Sequence, residues 1–152
     1  MKLNHVNDKI LLSDIKKLVG DERKSQLLIL YHLQEIDRRK LFSDVKYGSL
    51  FDYCVKELGY SEGAAQRRIV AARLLKNIPE VAGKIASGNL TLTNIAQVTQ
   101  FYKDPVEQKA ALKKVEGLSK KECEKNFLNF LPERLNLERI PDVFRKTRFK
   151  LQ

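Results

Sequence analysis

Apolar residues recur at spacings of three and four through almost the whole chain, which is the period of an amphipathic α-helix. Capping residues and helix-ending residues divide this pattern into segments. Asn7 or Asp8 begins a first helix that we expect to end at Gly20, and a longer helix is predicted over residues 21–41. Its centre, Leu27–Tyr31, is apolar around most of its circumference, so neighbours must surround it. The pattern therefore predicts a central core helix here.

Six further helices are predicted after residue 48, each beginning at a capping residue or a proline. Their starts are Ser49, Ser61, Pro79, Thr91 or Thr93, Pro105 and Ser119, and their ends are near Gly59, Asn77, Gly88, Tyr102, Gly117 and Leu131. No segment alternates apolar and polar residues as a half-buried β-strand would. The sequence thus predicts an all-α, multi-helix single domain over residues 1–132. Pro132 precedes and Pro141 interrupts residues 133–152, which we interpret as a basic tail or a linker to a C-terminal domain that this chain lacks.

Charge is the unusual property of the composition. The 152 residues include 29 Lys and Arg against 19 Asp and Glu, a net charge of +10. So basic a surface attracts polyanions, which makes nucleic acid the leading partner, ahead of an anionic membrane or protein or no specific partner at all. Cys54 and Cys123 stand far apart without a CxxC pair, which favours buried, reduced thiols. No signal peptide or membrane span is recognisable, so we expect a cytoplasmic protein that does not enter a membrane.

The segment from Phe51 to Ala72 has the spacing of a helix-turn-helix. Gly59 permits the left-handed backbone of the turn, and Ser61 caps the second helix, which would lie in the major groove of DNA. The late apolar position of that second helix falls at Ile69, one residue beyond its usual place, where Arg68 stands. We therefore expect the corner to be tilted relative to the usual motif.

A helical wheel separates the residues of this second helix by face. The apolar face consists of Ala64, Ala65, Ile69, Ala72 and Leu75. Arg68 falls within that face, so we interpret it as structural, like Gly59, and expect it to pair with Asp52 or Glu57. Side chains that can reach solvent are candidates for contact with bases or phosphates, a plain solvated surface being the alternative. These DNA-binding candidates are Lys56, Ser61, Gln66, Arg67, Arg73, Lys76 and Lys84.

Five motifs follow one another along the chain: Leu33–Arg39, Gly48–Ile69, Ile78–Val81, Gly88–Thr93 and Ser119–Glu122. Their order, over roughly residues 8–133, resembles the N-terminal region of bacterial HNH endonuclease family proteins. The resemblance implies a DNA-binding region that a C-terminal HNH nuclease domain normally follows. The helix-turn-helix with the helices after it is also similar, more weakly, to the DNA-binding core of chromosome partition proteins. That similarity implies that the helices of residues 79–102 support the recognition helix and contact phosphates.

Catalytic residues are lacking in the chain itself. An HNH site needs a histidine base and further ligands around a divalent metal. The only histidines are His5, near the start, and His32, which we expect in the core or at its boundary. No nucleotide-binding or hydrolase motif is present. We therefore expect no enzymatic activity from this chain and no cofactor, a divalent metal entering only with the HNH domain.

Three functions stay open at this stage. The first is a module that holds duplex DNA for the nuclease of a longer protein, although charge alone does not separate DNA from RNA. The second is a stand-alone helix-turn-helix regulator, a homodimer that reads a palindrome. The third is a protein-interaction module, which an exposed apolar face on the first helix and indifference to DNA at low salt would indicate.

Overall fold

A helix of 32 residues, α1 (Asp8–Arg39), opens the fold in the computed structural model, which describes residues 2–130 and only the backbone at 127–130. The helices that follow are α2 (Leu41–Asp44), α3 (Leu50–Asp52) continuing into a π-helical turn (Tyr53–Glu57), α4 (Glu62–Asn77), α5 (Val81–Ser87), α6 (Leu92–Phe101), α7 (Pro105–Lys114) and α8 (Lys120–Phe130). The predicted all-α class is confirmed, and the described residues contain no strand.

The chain divides into two compact units, residues 1–116 and residues 117–152, and the described part of the second unit, residues 117–130, includes α8. Helix α8 begins with the predicted capping box, because Glu122 N–H donates to the Ser119 hydroxyl and Ser119 N–H donates to the Glu122 carboxylate. The predicted end of this helix at Leu131, the domain boundary at residue 132 and the basic tail of residues 133–152 lie outside the described residues.

Helix α1 runs without a break through Gly20, so the prediction of two helices meeting there is wrong. Open space surrounds the position that a Cβ of Gly20 would take. A glycine inside a helix costs about 1 kcal/mol relative to alanine, which continued hydrogen bonding and packing of the neighbouring turns can offset. The helix ends instead at Lys40, which has the left-handed φ of 56° and donates its N–H back to the last turn.

The two halves of α1 differ in burial. Leu30 and Leu33, in the second half, are 0% and 1% exposed where α1 packs against α4 and α5. Leu18, in the first half, is 63% exposed. Leu28 and Tyr31 are also exposed, so the prediction that neighbours surround residues 27–31 is wrong. The apolar circumference of this segment is covered on one side, and the other side remains at the surface.

Helix α4 occupies the central position that the sequence assigned to α1. It packs against α1, α3 and α6, and its buried residues are Ala65, Ile69, Ala71, Ala72, Leu74 and Leu75. The predicted apolar face is thereby confirmed, with Ala64 half-buried at its edge. Three of the buried side chains are alanines, whose small size lets neighbouring helices approach closely. This packing fixes which side of α4 remains available to a ligand.

Capping residues set the helix starts near the site. Asn7 accepts from Lys9 N–H at 2.9 Å, Ser61 from Ala64 N–H at 3.4 Å and Thr91 from Asn94 N–H at 3.1 Å. Of the two capping residues predicted for each of these helices, Asn7 and not Asp8 caps α1, and Thr91 and not Thr93 caps α6. Helix α5 begins two residues after Pro79, at Val81. Both cysteines are free and buried, as predicted.

Candidate nucleic-acid interface

A corner formed by residues Leu58–Ser61 connects α3 and its π-helical turn to α4. In the π-helical turn, Leu58 N–H donates to the Tyr53 carbonyl at 3.2 Å, five residues back. Gly59 has a φ of +71°, a left-handed conformation that strains any residue with a Cβ. The Tyr60 N–H then bonds to the Cys54 carbonyl at 3.1 Å, which closes the turn. No pattern in the sequence predicts the π-helical bonding.

Arg68 is half-buried, as its position on the apolar face predicts, but it does not form the predicted ion pair with Asp52 or Glu57. Asp52 instead pairs with Lys56 and Ser49, and Glu57 accepts from the Tyr47 hydroxyl at 2.6 Å. The guanidinium of Arg68 lies 4.2 Å from the centre of the Tyr60 ring, a cation–π contact, and donates to the Ala64 carbonyl at 3.2 Å. Its Nε is buried and has no hydrogen-bond acceptor in the part of the chain that the structure describes. Stacking on an aromatic face replaces the carboxylate because the turn brings Tyr60 over α4.

Three of the predicted DNA-binding side chains already have acidic partners. Lys56 lies 3.0 Å from Asp52, one helical turn away, and Lys84 pairs with Glu116. Arg73 donates Nε to Asp37 Oδ2 at 2.9 Å and Nη2 to Oδ1 at 3.4 Å, which ties α4 to α1. A phosphate approaching any of these cations must compete with a carboxylate.

The other predicted contacts on α4 have no such partner among the described residues. Gln66 and Lys76 are exposed, and Arg67 is half-buried. Gln66 and Arg73 are seven residues apart and so share one face of α4, whereas Arg67 lies about 100° around the helix from Gln66. Ser61 is exposed and its hydroxyl already caps α4. Arg67 is therefore the one predicted arginine whose charge is both accessible and unpaired within the described part of the chain.

A cavity of about 390 Å³ brings Arg67 and Arg68 together with Arg23 of α1. The first turn of α6, at Thr91–Thr93, forms its other wall. Three arginines and no carboxylate are among the described residues that line it. We name this cavity the arginine pocket. Arg23 was missed by sequence reasoning, because its hydrogen-bond partner, the Ser87 carbonyl, stands 64 residues further along the chain.

Electrostatic shifts near the site have simple causes. The hydrogen bonds from Ser49 and then Lys56 hold the pKa of Asp52 below its usual value. Arg38 and Arg39, at the end of α1, lower the pKa of Glu35 to about 2. Burial raises the pKa of the Cys54 thiol, an effect that the Arg68 charge partly opposes. None of these groups has the pKa near 7 that general acid–base catalysis favours.

Potential metal ligands do not cluster in residues 2–130, where no three His, Cys, Asp or Glu side chains converge on one point. His32 is exposed and lies outside the core, which corrects the prediction for it, and its Nδ1 is 2.7 Å from the Leu28 carbonyl oxygen. Over the same described residues, every helix is too short or too polar to span a bilayer. Comparison with known protein families, with curated proteins and with solved structures finds no match.

Proposed function

We propose that residues 2–130 form a duplex-DNA-binding module in which α4 is the recognition helix. The observation that carries this proposal is the unpaired charge of Arg67, which lies on α4 beside two further arginines and no carboxylate. Phosphate oxygens are the usual partners of such guanidinium groups, because the planar fork matches their geometry. Gln66, exposed on the neighbouring face, is suited to hydrogen bonding with base edges.

The distribution of charge supports a polyanionic ligand. Residues 131–152 hold six Lys or Arg and three Asp or Glu, which leaves a net charge of +7 on residues 1–130. Most of the net positive charge, +7 of +10, therefore lies within residues 1–130. On the resemblance of its motifs to HNH endonuclease proteins, we place this module before a nuclease domain, for which it would hold the duplex. In that arrangement the chain binds and positions DNA without cutting it.

A salt-titrated binding assay tests the proposal. Fluorescence anisotropy would follow the full chain on a labelled duplex of random sequence between 50 and 200 mM salt, with duplex RNA as competitor. We expect R67Q to bind about 5–10-fold more weakly at roughly 0.1 M salt and to lower the slope of log K against log salt by about 0.9, the effect of one lost phosphate contact. K17Q is the matched control, since Lys17 is exposed on α1 and has no partner among the described residues. Equal affinities for R67Q and K17Q would refute the interface, and no binding at low salt would refute the function.

A second candidate, a protein-interaction module, is favoured by the first half of α1. Leu12, Ile15 and Leu18 are 63%, 51% and 63% exposed, although they continue the apolar stripe that is buried further along the helix. Contiguous exposed apolar surface commonly marks a binding site for another protein. Indifference to DNA at low salt, together with self-association or binding of a protein partner that L18E abolishes, would favour this candidate.

A further inference from the structure

The arginine pocket holds three positive charges that the described residues do not neutralise. Arg67 has no hydrogen-bond or ion-pair partner among them, and Arg23 has one, the Ser87 carbonyl at 3.0 Å. Arg68 contributes an Nε that is buried without an acceptor within residues 2–130. Like charges gathered around one cavity repel one another, and burying a charged donor without a partner costs free energy. An anion in the pocket would relieve both costs.

The wall opposite the arginines presents further hydrogen-bond donors. Helix α6 begins at Leu92, and the N–H groups of Leu92 and Thr93 have no acceptor among the described residues. The Thr91 hydroxyl accepts from the Asn94 N–H and from neither of these two groups. The first turn of a helix also carries the positive end of its dipole. The pocket therefore combines guanidinium groups from two helices with backbone donors from a third.

Gly88 leaves the space in which the Arg23 guanidinium lies beside the end of α5. A Cβ at Gly88 would lie 2.4 Å from the Arg23 Cζ, closer than any real contact, so only glycine lets the guanidinium rest against the backbone there. Gly88 also has a φ of +82°, which ends α5 in the left-handed conformation. Since Arg23 donates to Ser87 from this position, its guanidinium is already placed at the pocket wall by one hydrogen bond.

We propose that the arginine pocket binds one phosphate group, the backbone phosphodiester of bound DNA, through Arg23, Arg67 and the first-turn N–H groups of α6. This inference rests on the proposed function, because Arg67 belongs to both surfaces. It extends the interface from α4 to α1 and α6, and it assigns Arg23 a binding role. A phosphate ester of a small molecule shares the same chemistry, and the experiment separates the two sources.

The test compares R23Q with R67Q and the K17Q control in the salt-titrated duplex assay. We expect R23Q to lose affinity about 5–10-fold at roughly 0.1 M salt and to reduce the salt slope by about 0.9. G88A retains every charge but displaces the Arg23 guanidinium, so we expect it to lose affinity without a change in net charge. Circular dichroism of each variant verifies that the helices remain formed. R23Q binding as tightly as K17Q would overturn the pocket, and if R67Q is still weakened the proposed function survives.

Titration of the full chain with inorganic phosphate, followed by amide NMR shifts, supplies the second arm. We expect the N–H signals of Leu92 and Thr93 to shift in the wild type and to shift much less in R23Q. If the chain shows these phosphate-induced shifts but does not bind DNA, the phosphodiester assignment would be overturned, and the ligand would be a free phosphate ester. Absence of shifts, with R23Q indistinguishable from K17Q on DNA, would remove the pocket altogether.

Discussion

Arg73, a predicted DNA contact, is already paired with Asp37 in the protein without DNA. Asp37 is on α1 and Arg73 on α4, with two N–O distances of 2.9 and 3.4 Å. D37N removes the carboxylate charge, so Arg73 becomes free to contact a phosphate. One additional phosphate contact would steepen the salt slope by about 0.9 and tighten binding about 5–10-fold near 0.1 M salt. The Arg73 side chain is 64% exposed, so the loss of stability should be small, about 0.5–1 kcal/mol.

D44N provides the matched control for this prediction. Asp44 is exposed in α2 and has no partner among the described residues, so its replacement raises the net charge equally, from +10 to +11, without releasing an arginine. Screening makes such a remote charge change weak at physiological salt. Duplex binding by anisotropy and urea unfolding by circular dichroism would be measured for both variants. D37N binding no tighter than D44N would show that Arg73 does not meet phosphate and would restrict the interface to the side of α4 that carries Arg67.

Two further predictions follow from the pKa shifts. Arg38 and Arg39 lower the pKa of Glu35 to about 2, so this carboxylate stabilises the fold above its ordinary pKa, and the stabilisation is lost as the pH falls from about 4.5 toward 2. The difference in stability between wild type and E35Q should therefore shrink across that pH range in acid-unfolding measurements. A constant difference would contradict the pairing of Glu35 with the two arginines. Burial raises the pKa of Cys54 and raises that of Cys123 to about 11. A thiol reagent at pH 8 should therefore react with both thiols only after denaturant is added. Rapid reaction of either thiol in the native protein would contradict its burial.

Local signals in the sequence predicted the helices well, because each start depends on a few adjacent residues. Ser61, Thr91 and Ser119 cap helices through side-chain oxygens that bond to N–H groups three residues on, and such spacing is legible without knowledge of the fold. Gly59 and Gly88 adopt left-handed conformations at the helix boundaries where they were expected. Gly20 was misread because a glycine in a helical pattern is either an end or a tolerated interior residue, and only the packing distinguishes them.

Long-range partners were beyond reach of the same reasoning. Arg68 was correctly placed on the inner side of α4, but its partner is the Tyr60 ring and not a carboxylate. Arg23 and Gly88 lie 65 positions apart, and their contact requires α1 to pass beside the end of α5. The partner of Arg73 is likewise on another helix. For side chains whose role depends on which helices meet, the residue type shows what interactions are possible, and only the fold shows which partner each side chain has.

Gly20 and Gly59 both have room for a Cβ but differ in backbone conformation, so alanine substitutions there test the continuity of α1 and the turn before α4. A Cβ at either Gly20 or Gly59 would meet nothing within 4 Å, so packing does not distinguish the two substitutions. Gly20 is inside α1, and G20A should stabilise the fold by about 0.5–1 kcal/mol in urea unfolding. Gly59 has a φ of +71°, and G59A should cost about 1–2 kcal/mol through backbone strain alone.

The sign of each change matters more than its size. If α1 ended at Gly20 in a left-handed residue, G20A would destabilise the protein as G59A does, and the continuous helix would be wrong. If G59A cost nothing, the turn before α4 would not need its left-handed residue, and the orientation of α4 relative to α3 would lose its physical basis. Opposite signs in the two variants would support the continuous α1 and the turn together, and with them the position of Arg67 in the second turn of the proposed recognition helix.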